Sequence, residues 1–192
     1  MRSQLFVPVL ERIFDQGNIN AVLRSAESMA FQNVHIIENE SFRRANRVSK
    51  GSDKWLSIQR WKSTRECLNH LKQNGYKICV THLSENAKAI GEIDFSQKTA
   101  LLFGSEGYGI STEALDLADE NVVIPMKGFT QSYNISVAAA IAMYHARLDR
   151  DKKLGESGDL NETQKQELLS HYLLASCNKS MQQIADSLEK KQ

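Results

Sequence analysis

The chain has 192 residues, 41% of them hydrophobic and 24% charged, with a net charge of +1. This is enough for one ordinary globular domain with its own core plus a small appendage. The three cysteines, Cys67, Cys79 and Cys177, stand apart, with no CxxC and no Cys/His cluster spaced for a metal, so they read as free thiols in a reducing compartment and no metal site is expected. No apolar run is long enough to span a bilayer, and the opening MRSQLFVPVLERIF lacks the length and cleavage site of a signal peptide, so a cytoplasmic location is expected.

In chain order, LFVPVL (5–10) reads as a strand and INAVLRSAESMA (19–30) as a helix, with Asn18 as its cap and Val22, Ala26 and Met29 on its apolar face. VHIIE (34–38) reads as a second strand. SIQRW (57–61) reads as a further one, and STRECLNHLKQNG (63–75) as a helix capped by Ser63 and ended by Gly75. KICVTH (77–82), TALLFG (99–104) and NVVIPM (121–126) follow as strands. Between the last two lies a helix over 111–119, capped by Ser111 or Thr112. SVAAAIAMYHARLDR (136–150) is helical, DKKLGESGDLNE (151–162) reads as a polar linker, and one or two amphipathic helices close the chain. Several strands are continuous apolar runs, as in strands covered on both faces. Strands alternating with helices predict an α/β domain with a mostly parallel sheet over 1–150, followed by a linker and helical extension over 151–192.

The charge is unevenly placed. Arg43, Arg44, Arg47, Lys50, Lys54, Arg60, Lys62 and Arg65 crowd one stretch in which only Asp53 opposes them. Such a strip is either a solvated face or a surface for a polyanion, because clustered cations release counterions from a phosphate backbone. Trp55 and Trp61 lie within it and either stack on bases or pack.

Three segments carry more hydrogen-bonding capacity than their elements need. GNINAVLRSA (17–26) places Asn18 at a strand-to-helix turn and Arg24 on an otherwise apolar helix. LLFGSEGYGIS (101–111) runs a buried strand into Gly104, Gly107 and Gly109, with Glu106 between them. Its order is GxxGxG, so neither a dinucleotide fingerprint nor a P-loop is present. IPMKGFTQSYNISVAAAIAMY (124–144) sets a polar turn before an alanine-rich helix; Ser132 and Asn134 need partners there, either within the loop or on a ligand. The helix face Val137, Ala140, Ile141 and Tyr144 is either core or half of a dimer contact. No GxSxG, HExxH or SxxK occurs.

Taken together and in this order, the three segments resemble the TrmH/SpoU family of RNA ribose 2′-O-methyltransferases, within the SPOUT superfamily, over most of residues 5–150. VTHLSENA (80–87), KGSDKW (50–55) and the helices after the linker are similar to the transfer-RNA branch, which methylates a D-loop guanosine. The resemblance implies a trefoil knot over about 99–150, S-adenosylmethionine held in the knotted loops, a homodimer, and tRNA as the favoured partner. It carries over Arg24, Asn18, Glu106, Ser132 and Asn134 as the catalytic set. Arg24 would act on the target ribose, either helping to deprotonate its 2′-hydroxyl or stabilising the alkoxide as it forms; the second role is preferred, because a guanidinium holds its proton. Thr81, Gly104, Ile124, Met126 and Tyr133 would line the cofactor pocket. The basic strip, Arg43, Arg44, Arg47, Lys50 and Lys54, would bind RNA. The sequence departs from the family in DQGN (15–18), which lacks a Pro-His before the asparagine, and in Lys127, which stands where an apolar residue is usual. It also begins close to the first strand, so part of the tRNA-binding surface is expected to be missing. The alternatives are the same chemistry on ribosomal RNA, or a non-catalytic RNA-binding protein with the same fold.

Overall fold

The computed structural model describes residues 2–38, 53–155 and 158–189, with side chains of the last helix described to residue 177. The chain divides into two compact units, Met1–Asp159 and Leu160–Gln192.

The first unit is built on seven strands: β1 (Phe6–Glu11), β2 (Asn33–Ile37), β3 (Ser57–Trp61), β4 (Lys77–Thr81), β5 (Lys88–Ala89), β6 (Thr99–Phe103) and β7 (Glu120–Val123). They form one sheet in the order β3-β2-β1-β6-β4-β7-β5, with every pairing parallel. The expected strands are all present. β5, two residues long, escaped the sequence reading because so short a segment has no period. Pro8 lies within β1 between two neighbours, a place where a missing N–H would break a ladder. Here the register with β2 begins only at Val9↔His35, so Pro8 falls outside that ladder.

The helices of this unit are α1 (Gln16–Ser28), α2 (Thr64–Gln73), α3 (Thr112–Leu117) and α4 (Ile135–Leu154). Ile19, Val22, Leu23 and Ala26 of α1 and Ile135, Ala139, Ala142, Met143 and Ala146 of α4 share one core cluster with Phe6, Leu10 and Phe103. Cys67, Leu68 and Leu71 of α2 and Ala114 of α3 share a second with Val7, Val9, Val80 and Leu102. Alternate residues of β1 and β6 therefore face opposite layers. Each fully buried Leu or Phe contributes about 1.5–3 kcal/mol.

The caps correct one expectation. The Asp15 carboxylate accepts from Gly17 N at 2.7 Å and caps α1, so the helix starts upstream of Asn18, which lies in its first turn. Ser63 and Ser111 cap α2 and α3 as expected. The segment read as a linker is tied down at Asp159. This partly buried carboxylate accepts from Gln4 N and the Arg150 guanidinium, each at 2.7 Å, and from the Ser3 hydroxyl. Burial lowers the Arg150 pKa, and Asp159 opposes that shift.

The second unit is a single helix, α5 (Glu162–Glu189), with Leu169, Leu173 and Leu174 exposed. No described helix is long and apolar enough to cross a membrane.

Candidate active site

The three polar segments meet at the carboxyl ends of the strands. Asn18, in the first turn of α1, donates its amide to the Glu106 carboxylate in the turn after β6. The Asn134 amide donates to Asn18 Oδ1 at 3.2 Å. Asn134 is also the N-cap of α4, accepting from Ser136 N at 2.9 Å and the Ser136 hydroxyl at 2.6 Å. One residue from each segment thus enters a single chain of hydrogen bonds.

Beside this chain opens a cleft of about 300 Å³. Its walls are Thr81 after β4, Phe103, Gly104 and Glu106 after β6, Ile124 and Met126 after β7, and Ser132 and Tyr133 in the polar turn. The turn that the sequence left open is exposed and faces this cleft. Thr81 donates its hydroxyl to Leu102 O at 3.1 Å, so its side chain braces β4 against β6. Gly104 is required by its neighbours: a Cβ there would lie 2.2 Å from Gly109 O and 2.6 Å from Ile110 N. The turn closes on itself through Gly109 N to Ser105 O at 2.8 Å, with Gly109 at φ 66°.

Among the described residues the cleft lining contains one carboxylate, Glu106, and neither lysine nor arginine. Such a site is suited to a cationic or neutral ligand and poorly suited to a polyphosphate.

Sequence reasoning missed Glu11. This carboxylate, at the end of β1, is 1% exposed and accepts from Thr64 Oγ1 and Ser111 Oγ at 2.6 Å each and from Ser111 N at 3.0 Å. It ties β1, the start of α2 and the end of the glycine-rich turn together. The signal was present as an acid closing an apolar strand, but its partners are distant in sequence.

Arg24 stands apart. It lies on the exposed side of α1, and among the described residues its guanidinium has no hydrogen bond or ion pair. Arg43, Arg44, Arg47 and Lys50 lie outside the described residues. Lys54 sits in a short 3-10 turn, Asp53–Trp55. Other cations of the strip are matched from outside it, Arg60 by Glu38 and Arg65 by Glu113 at 3.0 Å. Trp61 packs: its indole donates to His35 Nδ1 at 3.0 Å and stacks on that ring.

A parallel α/β sheet with a cleft outside the carboxyl ends of its central strands defines the class of α/β proteins that bind ligands at that edge. Within that class, residues 5–144 match the SpoU rRNA methylase family, and the chain belongs to it. A tRNA (guanosine(18)-2'-O)-methyltransferase of Borreliella burgdorferi is 38% identical over 173 residues, covering 90% of this chain and 79% of that protein. The protein of the same name from Escherichia coli K12 is 35% identical over 164 residues, covering 83% and 72%. Among solved structures, the A. aeolicus TrmH/SpoU tRNA modifying enzyme is 27% identical, with a TM-score of 0.83 over 92% of this chain and 90% of that one. The SpoU methyltransferase AviRb from Streptomyces viridochromogenes, in complex with AdoMet, is 26% identical, with a TM-score of 0.64 over 79% and 63%.

Proposed function

We propose that the chain transfers a methyl group from S-adenosylmethionine to the ribose 2′-oxygen of a guanosine in the D-loop of tRNA, at position 18. One observation carries the chemistry: Asn18, Glu106 and Asn134, from three separate segments, join beside a cleft whose described lining has one carboxylate and no lysine or arginine. The choice of target rests on the relatives that bear that name and match over most of their own length.

The residues present fit the cofactor. Gly104 lets the backbone close tightly at the cleft floor, Ile124 and Met126 offer apolar surface, and Ser132 and Tyr133 offer polar groups. Glu106 complements a positive charge. The cofactor would supply an electrophilic methyl group on a sulfonium, with a neutral thioether as leaving group. The chain's own task is alignment and polarisation of the incoming hydroxyl, whose proton passes to solvent water as its oxygen takes the methyl group. Asn18 holds Glu106 and Asn134 in fixed relation, so the turn after β6 and the start of α4 are set together. Ser132 belongs to the wall that α4 and Asn134 anchor. Arg24, without a partner among the described residues, meets the RNA and stabilises negative charge as it develops on the ribose oxygen. Lys54, with Arg43, Arg44, Arg47 and Lys50, binds the RNA backbone and adds affinity without choosing the nucleotide. In this reading the segment over about 99–150 threads the family's knot, and the loops that line the cleft are its crossings.

The active form is a homodimer. Val137, Tyr144 and Leu148 of α4 are exposed at helical spacing, on the side away from Ala139, Met143 and Ala146 in the core. An apolar stripe of this kind suits a second copy.

The test is an assay with labelled S-adenosylmethionine and, separately, unmodified tRNA and ribosomal RNA, with 2′-O-methyl positions mapped by mass spectrometry. Label in the tRNA D-loop guanosine, lost in Arg24→Ala, is the expected result. Label in ribosomal RNA alone overturns the substrate and keeps the chemistry; no label in either overturns the enzymatic reading.

A further inference from the structure

A second cleft, of about 350 Å³, lies on the other side of the glycine-rich turn. Its walls are Glu11, Arg12 and Phe14 after β1, and Ser105, Tyr108 and Ser111 from the turn. Ser105 and Gly109 line both clefts, so the two share one wall. Nothing in the methyl-transfer site accounts for what stands at its mouth. Phe14 is 49% and Tyr108 86% exposed, and their rings form a tilted pair with centroids 6.2 Å apart and planes inclined at 57°. Arg12 is exposed at φ 54°, a left-handed conformation that a residue with a Cβ rarely adopts. Among the described residues its guanidinium has no partner.

The geometry points to this second cleft as the seat of the base of the nucleotide being methylated, with Tyr108 as its stacking platform, Phe14 against its edge and Arg12 on the adjoining phosphate. The inference rests on the functional reading above and extends it from the ribose to the rest of the nucleotide. A nucleotide whose 2′-oxygen reaches the first cleft must place its base within one sugar's breadth of it, and this cleft is on the far side of the shared wall. Both rings are too exposed to be core, and bare aromatic faces are what an unstacked base requires. The platform is rigid where it must be. Tyr108 N donates to Ser105 Oγ at 3.2 Å, while Glu11 pins Ser111 below, so the ring projects from a fixed backbone. The rings are inclined, so the base stacks on one and meets the other edge-on.

The experiment uses the full-length protein and tRNA carrying 2-aminopurine riboside at the target position, which keeps the 2′-hydroxyl and a stacking face. Binding is expected to quench its fluorescence, and the quench is expected to vanish in Tyr108→Ala and to persist in Tyr108→Phe. With unmodified tRNA, Tyr108→Ala and Phe14→Ala are each expected to lower kcat/KM roughly 5- to 100-fold, with cofactor affinity within about twofold of the parent. Arg12→Ala is expected to flatten the salt dependence of RNA binding by about one unit of slope. Full quench and full methylation in both alanine variants overturn this inference and leave the functional reading standing. Failure of the unaltered protein to methylate any tRNA overturns the functional reading, and this inference with it.

Discussion

The Asn18 amide donates to the Glu106 carboxylate across 88 residues of sequence, and Asn134 joins the same asparagine from the other side. Groups held in one network act as a unit, so their removal is not additive. Asn18→Ala and Glu106→Ala are each expected to lower single-turnover methyl transfer about 100-fold. The double variant is expected to lose little more, with a coupling energy of about 2–3 kcal/mol. All three side chains lie at the surface end of the sheet, so the unfolding midpoint should barely move. A double variant whose loss equals the product of the single losses would show that the two residues act separately.

Gly104→Ala tests the floor of the cofactor cleft. The added methyl would meet Gly109 O, Gly109 C and Ile110 N, all backbone atoms of the turn that carries Glu106. Backbone cannot swing aside as a side chain can, so the turn must shift. The expected cost is about 1–3 kcal/mol of stability, with at least a tenfold fall in S-adenosylmethionine affinity by calorimetry. Normal affinity in a folded Gly104→Ala protein would place the cofactor elsewhere.

The elements were legible because their periods differ. β1, β4 and β6 read as apolar runs, and α1 and α4 as stripes at helical spacing. What was not legible depends on distant partners. Asn18 and Asp15 are both capping types within four residues, and the sequence does not say which one reaches the free N–H groups; Asp15 does. Arg24 follows Val22 and Leu23, yet helical rotation turns it to solvent while they enter the core. Glu11 meets Ser111 only because β1 and β6 are adjacent strands. The strip from Arg43 to Arg65 looked unopposed because Glu38 and Glu113 lie outside it.

Asp159→Ala tests the stretch read as a linker. Asp159, partly buried, pairs with the buried Arg150 at 2.7 Å, and Asp159 also accepts from Gln4 N. Removing the carboxylate leaves the guanidinium with the Phe95 carbonyl oxygen but without its paired charge, and burial already disfavours it as a charge. The expected loss is about 3–5 kcal/mol by urea unfolding. Asp159→Asn, which keeps an acceptor, should lose less. A loss below about 1 kcal/mol for the alanine variant would mean that Arg150 finds water or another acceptor at once.

His35 should make the fold sensitive to mild acid. It is buried among Trp61, His70 and Cys67, and its Nδ1 accepts from the Trp61 indole, so the folded state holds it neutral. Burial first, and then the neighbouring His70, push its pKa down from 6.5 to about 4. The unfolded chain therefore binds a proton near pH 6.5 that the folded chain refuses until about pH 4. Stability at neutral pH is unaffected, falls as the pH drops below 6.5, and levels off, for this group, near 4. The integrated loss is about 3 kcal/mol. Urea unfolding at a series of pH values, in the parent and in His35→Gln, isolates it: the parent should lose that much more than the variant across the window. Parallel profiles would mean that the histidine is already charged, or already solvated, in the folded protein.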